Sequence, residues 1–176
     1  MTHHYHATPY DISAPGFSFT DYDDYLAKAR TCRNDHGDLV EEFSLHMLDG
    51  DNEILFNALE INQATLAQWF RDFAHLDGDD LIKAIYLADY VTGNMADILD
   101  WLDEVTILEG DAEAFAIDTI EDSGLLDDMP EKLRYYFDTA AFARDLVLGG
   151  DITEVDIMGS TYIVREGLIW LTQQKS

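Results

Sequence analysis

Cations are scarce in this sequence. Ten Lys and Arg stand against 36 Asp and Glu in 176 residues, which leaves a formal net charge of -26. Such a surface repels nucleic acid and anionic membranes, so neither is an expected partner. A basic protein surface is, and basic surfaces are commonly the ones that bind DNA. Cysteine is nearly absent too: the single Cys32 excludes an intramolecular disulfide and fits a reducing compartment. The start, MTHHYHATPYD, has neither the basic nor the apolar region of a signal peptide. No apolar run approaches the roughly 18 residues of a membrane span. Cytoplasm is the expected location.

Catalytic and cofactor signatures are also missing. There is no HExxH, no Cys-His ligand spacing, no GxSxG, no Gly-rich phosphate loop and no dinucleotide fingerprint. Gly149-Gly150 follows a helical stretch and reads as a C-cap. His3, His4 and His6 lie together near the terminus, while His36, His46 and His75 are scattered. Asp49, Asp51, Glu53 and Glu60 match the acidic positions of a calcium loop, but Ile54 stands where the sharp turn needs glycine. The flanks read as strands, so a solvated turn is expected there. Cys32 falls in an expected helix beside Arg30 and Arg33, with no His close in sequence to act as base. Carboxylates are so numerous that chance pairs carry no information. No catalytic residue, metal or cofactor is expected.

What the chain does have is apolar material. It is 47% hydrophobic and 12% aromatic, unlike disordered acidic tails. It should fold and carry its charge outside. A domain of this size needs a net charge of only about 2 to 8 for colloidal stability, and the excess destabilises the compact state. The acids are spread evenly: 12 in residues 1–60, 8 in 61–103 and 16 in 104–176. Twenty-five are Asp, whose short side chain holds the carboxylate close to the backbone.

The pattern along the chain predicts an α+β fold of three small lobes. Residues 1–60 form a mixed α/β lobe. It has a strand over Tyr5–Tyr10, a helix capped by Thr20 and running to about Arg33, and a strand over Glu41–Leu48. Residues 61–103 form a helical middle of three antiparallel helices. One starts at Asn62 or Thr65, one buries Leu81, Ile82, Ile85, Leu87 and Ala88, and one runs from Asn94 to Asp103 over Met95, Ile98, Leu99, Trp101 and Leu102. Residues 104–176 return to mixed structure. A strand at Val105–Leu108 precedes a helix over 111–123 that buries Ala112, Phe115, Ala116 and Ile120. A helical turn after Pro130, a helix capped by Thr139 and a hairpin around Met158-Gly159-Ser160 follow. The segment Gly167–Ser176 suits either helix or strand.

Acidic stripes stand out on these helices. Asp77, Asp79 and Asp80 open one. Asp97, Asp100, Asp103 and Glu104 stand three and four apart on another, away from Ile98 and Trp101. Asp111, Asp118, Glu121 and Asp122 do the same on a third. Like charges at such spacing cost about 0.2 to 0.5 kcal/mol per pair. Neighbouring cations would relieve that, yet the middle third holds only Arg71 and Lys83. Duplex DNA carries one charge per about 1.7 Å of axis, so 26 net charges match roughly 44 Å of duplex, about 13 base pairs. Helical carboxylates recurring every 5 to 6 Å or so resemble a coarse phosphate ladder.

Further residues carry a resemblance. Leu125-Leu126-Asp127-Asp128-Met129-Pro130-Glu131-Lys132-Leu133-Arg134-Tyr135-Tyr136-Phe137-Asp138 is followed by Phe142-Ala143-Arg144-Asp145-Leu146, Gly150-Asp151-Ile152 and Tyr162-Ile163-Val164. This pattern resembles the ArdA antirestriction family, as do the length, the three-part layout and the acidity; Tyr5–Phe19 departs from the family's Gly-rich opening. The resemblance implies an elongated, dimeric DNA mimic, not an enzyme, that occupies the DNA groove of type I restriction-modification enzymes. It also implies that Leu126–Asp138 is the antirestriction motif, with Leu126, Pro130, Leu133, Tyr136, Phe137 and Asp138 near a dimer interface. By composition alone, Leu133, Tyr135, Tyr136 and Phe137 suit a core or a contact surface, and core is expected for at least two.

Three other readings share the acidity. An acidic adaptor or inhibitor of another basic DNA-binding protein differs only in partner. A small hydrolase would show a pocket with one perturbed acid. A halophilic adaptation predicts unfolding at low salt. A mimic stays folded there, with an unchanged circular dichroism spectrum on dialysis to about 10 mM salt, where screening lengths reach about 30 Å.

Overall fold

A computed structural model describes residues 3–166 of the chain. Two compact units divide it, the boundary falling between Leu99 and Asp100.

The first unit begins with β1 (Tyr5–Pro9), the centre of a three-stranded antiparallel sheet between β2 (Phe17–Phe19) and β3 (Phe43–Met47). Tyr5 stands opposite Phe19 on one side and Met47 on the other. Alternation sends Tyr5 and Ala7 of β1, and Phe43, Leu45 and Met47 of β3, into the core. Helix α1 (Tyr22–Ala29) adds Tyr25 to that side. The Tyr5 ring stacks on Phe19 at 5.3 Å between centroids and meets the edge of Phe70 at 5.0 Å. Its hydroxyl accepts a 3.0 Å hydrogen bond from Trp69 Nε1, both residues being wholly buried. Burial pushes the Tyr5 pKa up, so the oxygen stays a neutral acceptor. Through this pair the sheet of residues 3–60 and the helices of 61–99 share one core.

Those helices are short and interrupted. α2 (Glu53–Ala58) follows the sheet, and its preceding residue Asn52 is a buried polar side chain whose Nδ2 donates to Leu76 O at 3.0 Å. α3 (Leu66–Gln68) runs into a π-helical turn, Trp69–Phe73, and α4 (Gly78–Tyr86) into another, Leu87–Val91. α4 buries Leu81, Ile82, Ala84, Ile85 and Tyr86 and leaves Asp79, Asp80 and Lys83 on the opposite face. α5 (Met95–Trp101) buries Met95 and Ile98.

The second unit holds β4 (Val105–Glu109), α6 (Ala112–Ser123), α7 (Glu131–Arg134), α8 (Thr139–Gly149), β5 (Thr153–Ile157) and β6 (Ser160–Glu166). The sheet is antiparallel in the order β4-β6-β5. Val105, Ile107, Val155, Ile157 and Val164 are buried on one face. On the other, Ile163 is buried and the Arg165 guanidinium lies 5.9 Å from the Phe115 ring centroid of α6. Helices α6 and α8 end at Gly124 and Gly150, both left-handed (φ 62° and 78°), where glycine carries no Cβ penalty.

The expected α+β class holds, and several details differ. Asp21, not Thr20, caps α1: its extended backbone lets the carboxylate accept from Asp24 N at 2.8 Å. The helix stops at Ala29, so Cys32 lies beyond it, buried, with Sγ on Pro15 O at 3.6 Å. Strand β2 and helix α2 had no clear sequence signal, since each is too short to show a period. The flank after Asp49–Gly50 is thus helical, and among the described residues no cluster of His, Cys, Asp or Glu is arranged to hold a metal. Leu99, Trp101, Leu102, Ala112, Phe115 and Ile120 are half-buried rather than buried. Asp138 caps α8 in place of Thr139, and the hairpin turn is the two residues Met158-Gly159, both at positive φ. The segment Gly167–Ser176 lies outside the described residues.

Replacing Tyr5 by Phe leaves the buried Trp69 N–H without its acceptor. The expected loss is about 1 to 3 kcal/mol of unfolding free energy, read from denaturant midpoints at unchanged slope.

Candidate partner-binding surface

The carboxylates of the acidic stripes are outside. Asp77 precedes α4, and Asp79 and Asp80 fill its first turn; all three are exposed. Asp97 and Asp100 lie three residues apart on α5, the first half-buried and the second exposed. Asp103 and Glu104 are exposed in the turn that follows. Asp118, Glu121 and Asp122 are exposed on the later turns of α6, whose last turn carries no basic residue. That placement opposes the helix dipole, which favours cations there. Asp111 is exposed as well, but it is engaged: Oδ1 accepts from Ala114 N at 2.8 Å as the N-cap of α6. Glu154 accepts from Ala112 N at 2.7 Å, sealing the same helix end.

Cations do little to neutralise this surface. Among the described residues there are four ion pairs: His4–Asp49, Lys28–Asp24, Arg71–Asp72 and Lys83–Asp80. All four lie before residue 84. No Lys or Arg stands between Lys83 and Lys132, a gap the stripe pattern alone did not bring out. Beyond it, Arg134 is exposed but engaged by backbone, donating from Nη2 to Asp127 O at 2.8 Å and from Nε to Met129 O at 3.1 Å. Arg165 is taken up by the Phe115 ring.

Not every acid is surplus charge. Asp11 accepts from Ser13 Oγ at 2.7 Å, Ser13 N at 2.9 Å and Asn34 Nδ2 at 2.9 Å, which holds its carboxyl down at about 2. Asp49 is also held low, by the His4 backbone N–H first and then the His4 ring. Acid counting missed this division of labour. Its sequence signal is an Asp one to three residues before a Ser or a helix start.

The motif residues form an exposed apolar surface rather than a core. Leu133, Tyr135 and Tyr136 are 53%, 90% and 79% exposed. The expectation of core for at least two of the four is therefore not met: only Phe137 is half-buried, its ring 5.9 Å edge-on from Phe142. The reason is local, because α7 is a single turn led by the exposed Pro130 and has no second face to bury. Leu126 and Phe137 line a small cleft of about 240 Å³ with Ile117, Ile120 and Arg134. Asp138 accepts from Ala141 N at 2.9 Å as the cap of α8.

Fold and surface together define a small acidic α+β protein whose conspicuous feature is a field of exposed carboxylates. The antirestriction protein (ArdA) family model matches residues 10–158, and the chain belongs to that family. It is a family of inhibitors whose targets are restriction-modification enzymes. A search of curated proteins finds no match. No helix among the described residues is long and apolar enough to cross a membrane.

Asp138→Ala removes a cap and is expected to cost about 1 kcal/mol of stability. Asp138→Ser restores the cap without the charge. Melting of the pair separates the two roles: recovery with Ser marks Asp138 as structural, and equal loss in both marks its charge as needed.

Proposed function

We propose that this protein inhibits type I restriction-modification enzymes by occupying their DNA-binding groove, with exposed carboxylates standing where phosphates would. The observation that carries the reading is the run between Lys83 and Lys132, dense in exposed Asp and Glu and free of Lys and Arg. In an isolated protein these charges only repel one another. Against Lys and Arg that otherwise neutralise DNA, each becomes favourable, and binding releases the counterions held by both surfaces. Asp suits the task because its short side chain fixes the charge close to the backbone. The inhibitor acts by occupancy and performs no chemistry on its target. It works in the cytoplasm, where incoming DNA meets the enzyme.

The exposed Leu133, Tyr135 and Tyr136 fit a second role as the contact between two copies. Aromatic residues are favoured in contact surfaces, and pairing would remove their apolar area from water. A homodimer would double the length of charge presented to the enzyme.

Graded neutralisation tests the reading. Unmodified plasmid is incubated with a type I restriction enzyme and the inhibitor, and the protein concentration giving half protection is measured. Single Asp→Asn changes among Asp100, Asp103, Asp118 and Asp122 are expected to raise it less than about threefold. Neutralising Asp118, Glu121 and Asp122 together, then adding Asp100, Asp103 and Glu104, should raise it stepwise by about tenfold and more. Abolition by one single change would instead mark an essential group and refute a distributed mimic.

A further inference from the structure

A second kind of surface lies in the first unit, built from residues outside the acidic stripes. A cleft of about 260 Å³ is lined by the apolar side chains of Tyr10, Leu39 and Val40 and by the acids Asp11, Glu41 and Glu42. Tyr10 is 68% exposed and Leu39 47% exposed. Neither is left out by looseness of the chain. Tyr10 N donates to Glu42 O at 3.2 Å, and Asn34 Nδ2 donates to Asp11 at 2.9 Å, tying the loop after β1 to the loop before β3. Asn34 Oδ1 accepts from His36 N and Asp38 N, and Val40 N donates to Cys32 O, so the second loop is closed on itself. Two loops fastened by these hydrogen bonds thus hold two large apolar side chains outside. Such a preformed site loses little freedom on binding.

Among the described residues the acids beside them have no cation of their own. Neither Glu41 nor Glu42 forms an ion pair among the described residues, and Arg33, nearby in sequence, donates Nη1 to the backbone oxygens of Arg30 and Cys32. A cleft with apolar side chains, an aromatic ring and two carboxylates besides the engaged Asp11 matches one side chain in particular. Arginine has an apolar stem, a planar head that stacks on aromatic faces and a fork that suits carboxylates. Lysine has the stem and the charge but not the planar head. We infer that this cleft seats an arginine of the basic partner protein, Tyr10 and Leu39 packing its stem and head while Glu41 and Glu42 take its charge. The inference rests on the reading of the protein as an inhibitor of a basic DNA-binding enzyme. It adds to distributed charge one shaped contact that DNA does not offer, an apolar anchor beside acid.

The test measures affinity of the whole protein for the methyltransferase core of a type I enzyme at several salt concentrations. The double change Tyr10→Ser with Leu39→Ser removes no charge and is expected to weaken binding about tenfold or more, with the salt slope unchanged. Tyr10→Phe keeps the ring and should bind like the wild type. Glu41→Gln with Glu42→Gln should weaken binding about tenfold, well beyond Asp118→Asn with Asp122→Asn, which removes the same charge elsewhere. Near-ultraviolet circular dichroism checks that each variant is folded. Wild-type affinity in the Tyr10/Leu39 variant, or equal loss in the two charge pairs, overturns the anchor and leaves the mimic standing. Altered sedimentation of that variant without the enzyme assigns the cleft to contact between copies and overturns it as well. If the wild type fails to bind the core at any salt, the mimic reading falls and the anchor with it.

Discussion

Repulsion between carboxylates is the constraint to which the rest of this molecule answers. With a net charge of -26 and four ion pairs among the described residues, the folded chain holds its charges closer together than the unfolded chain does. The core has to offset that. In the first unit it does so with aromatic area, with Tyr5, Phe19, Phe56, Trp69 and Phe73 all nearly inaccessible. The Trp69–Tyr5 hydrogen bond joins sheet to helices and satisfies the buried indole N–H. Several acids also serve the fold, as helix caps and loop fasteners, and so recover part of what their charge costs.

Placement of the remaining acids runs against local preference. Glu121 and Asp122 sit in the last turn of α6, where a cation would suit the dipole, and Glu60 follows α2 at φ 49° where glycine is usual. Stability alone does not account for these choices, whereas the proposed cationic partner would. The same logic covers Arg134, which satisfies backbone oxygens and leaves neighbouring carboxylates unneutralised.

Much of this was legible in the sequence, and what was not has physical causes. Loose alternation located β3 and flanking turn residues located β1; apolar spacing located α4, α5 and α6, because each buries one face, and Thr139 with Gly149-Gly150 bracketed α8. β2, at three residues, and α2, at six, are too short for any period to show. The caps were misplaced by one residue at Thr20 and Thr139 because Asp competes with Thr for the same orphan N–H groups, and its charge wins at the positive end of a helix. For the surface, charge density and the motif at Leu126–Asp138 were readable, whereas exposure was not. Leu133, Tyr135 and Tyr136 look like core by composition and lie outside because α7 is a single turn. The cleft at Tyr10 and Leu39 was invisible for another reason: it joins two loops far apart in sequence through the Asp11–Asn34 contact.

The most direct measurement is mutual exclusion. A fluorescent duplex bound to a type I methyltransferase core is titrated with the purified protein at low and moderate salt, and duplex release is followed by anisotropy. The account predicts complete release at near-stoichiometric protein, weakening as salt rises, with no ternary complex of enzyme, duplex and inhibitor. A stable ternary complex, or an unmoved duplex at every salt concentration with the protein folded, would contradict it.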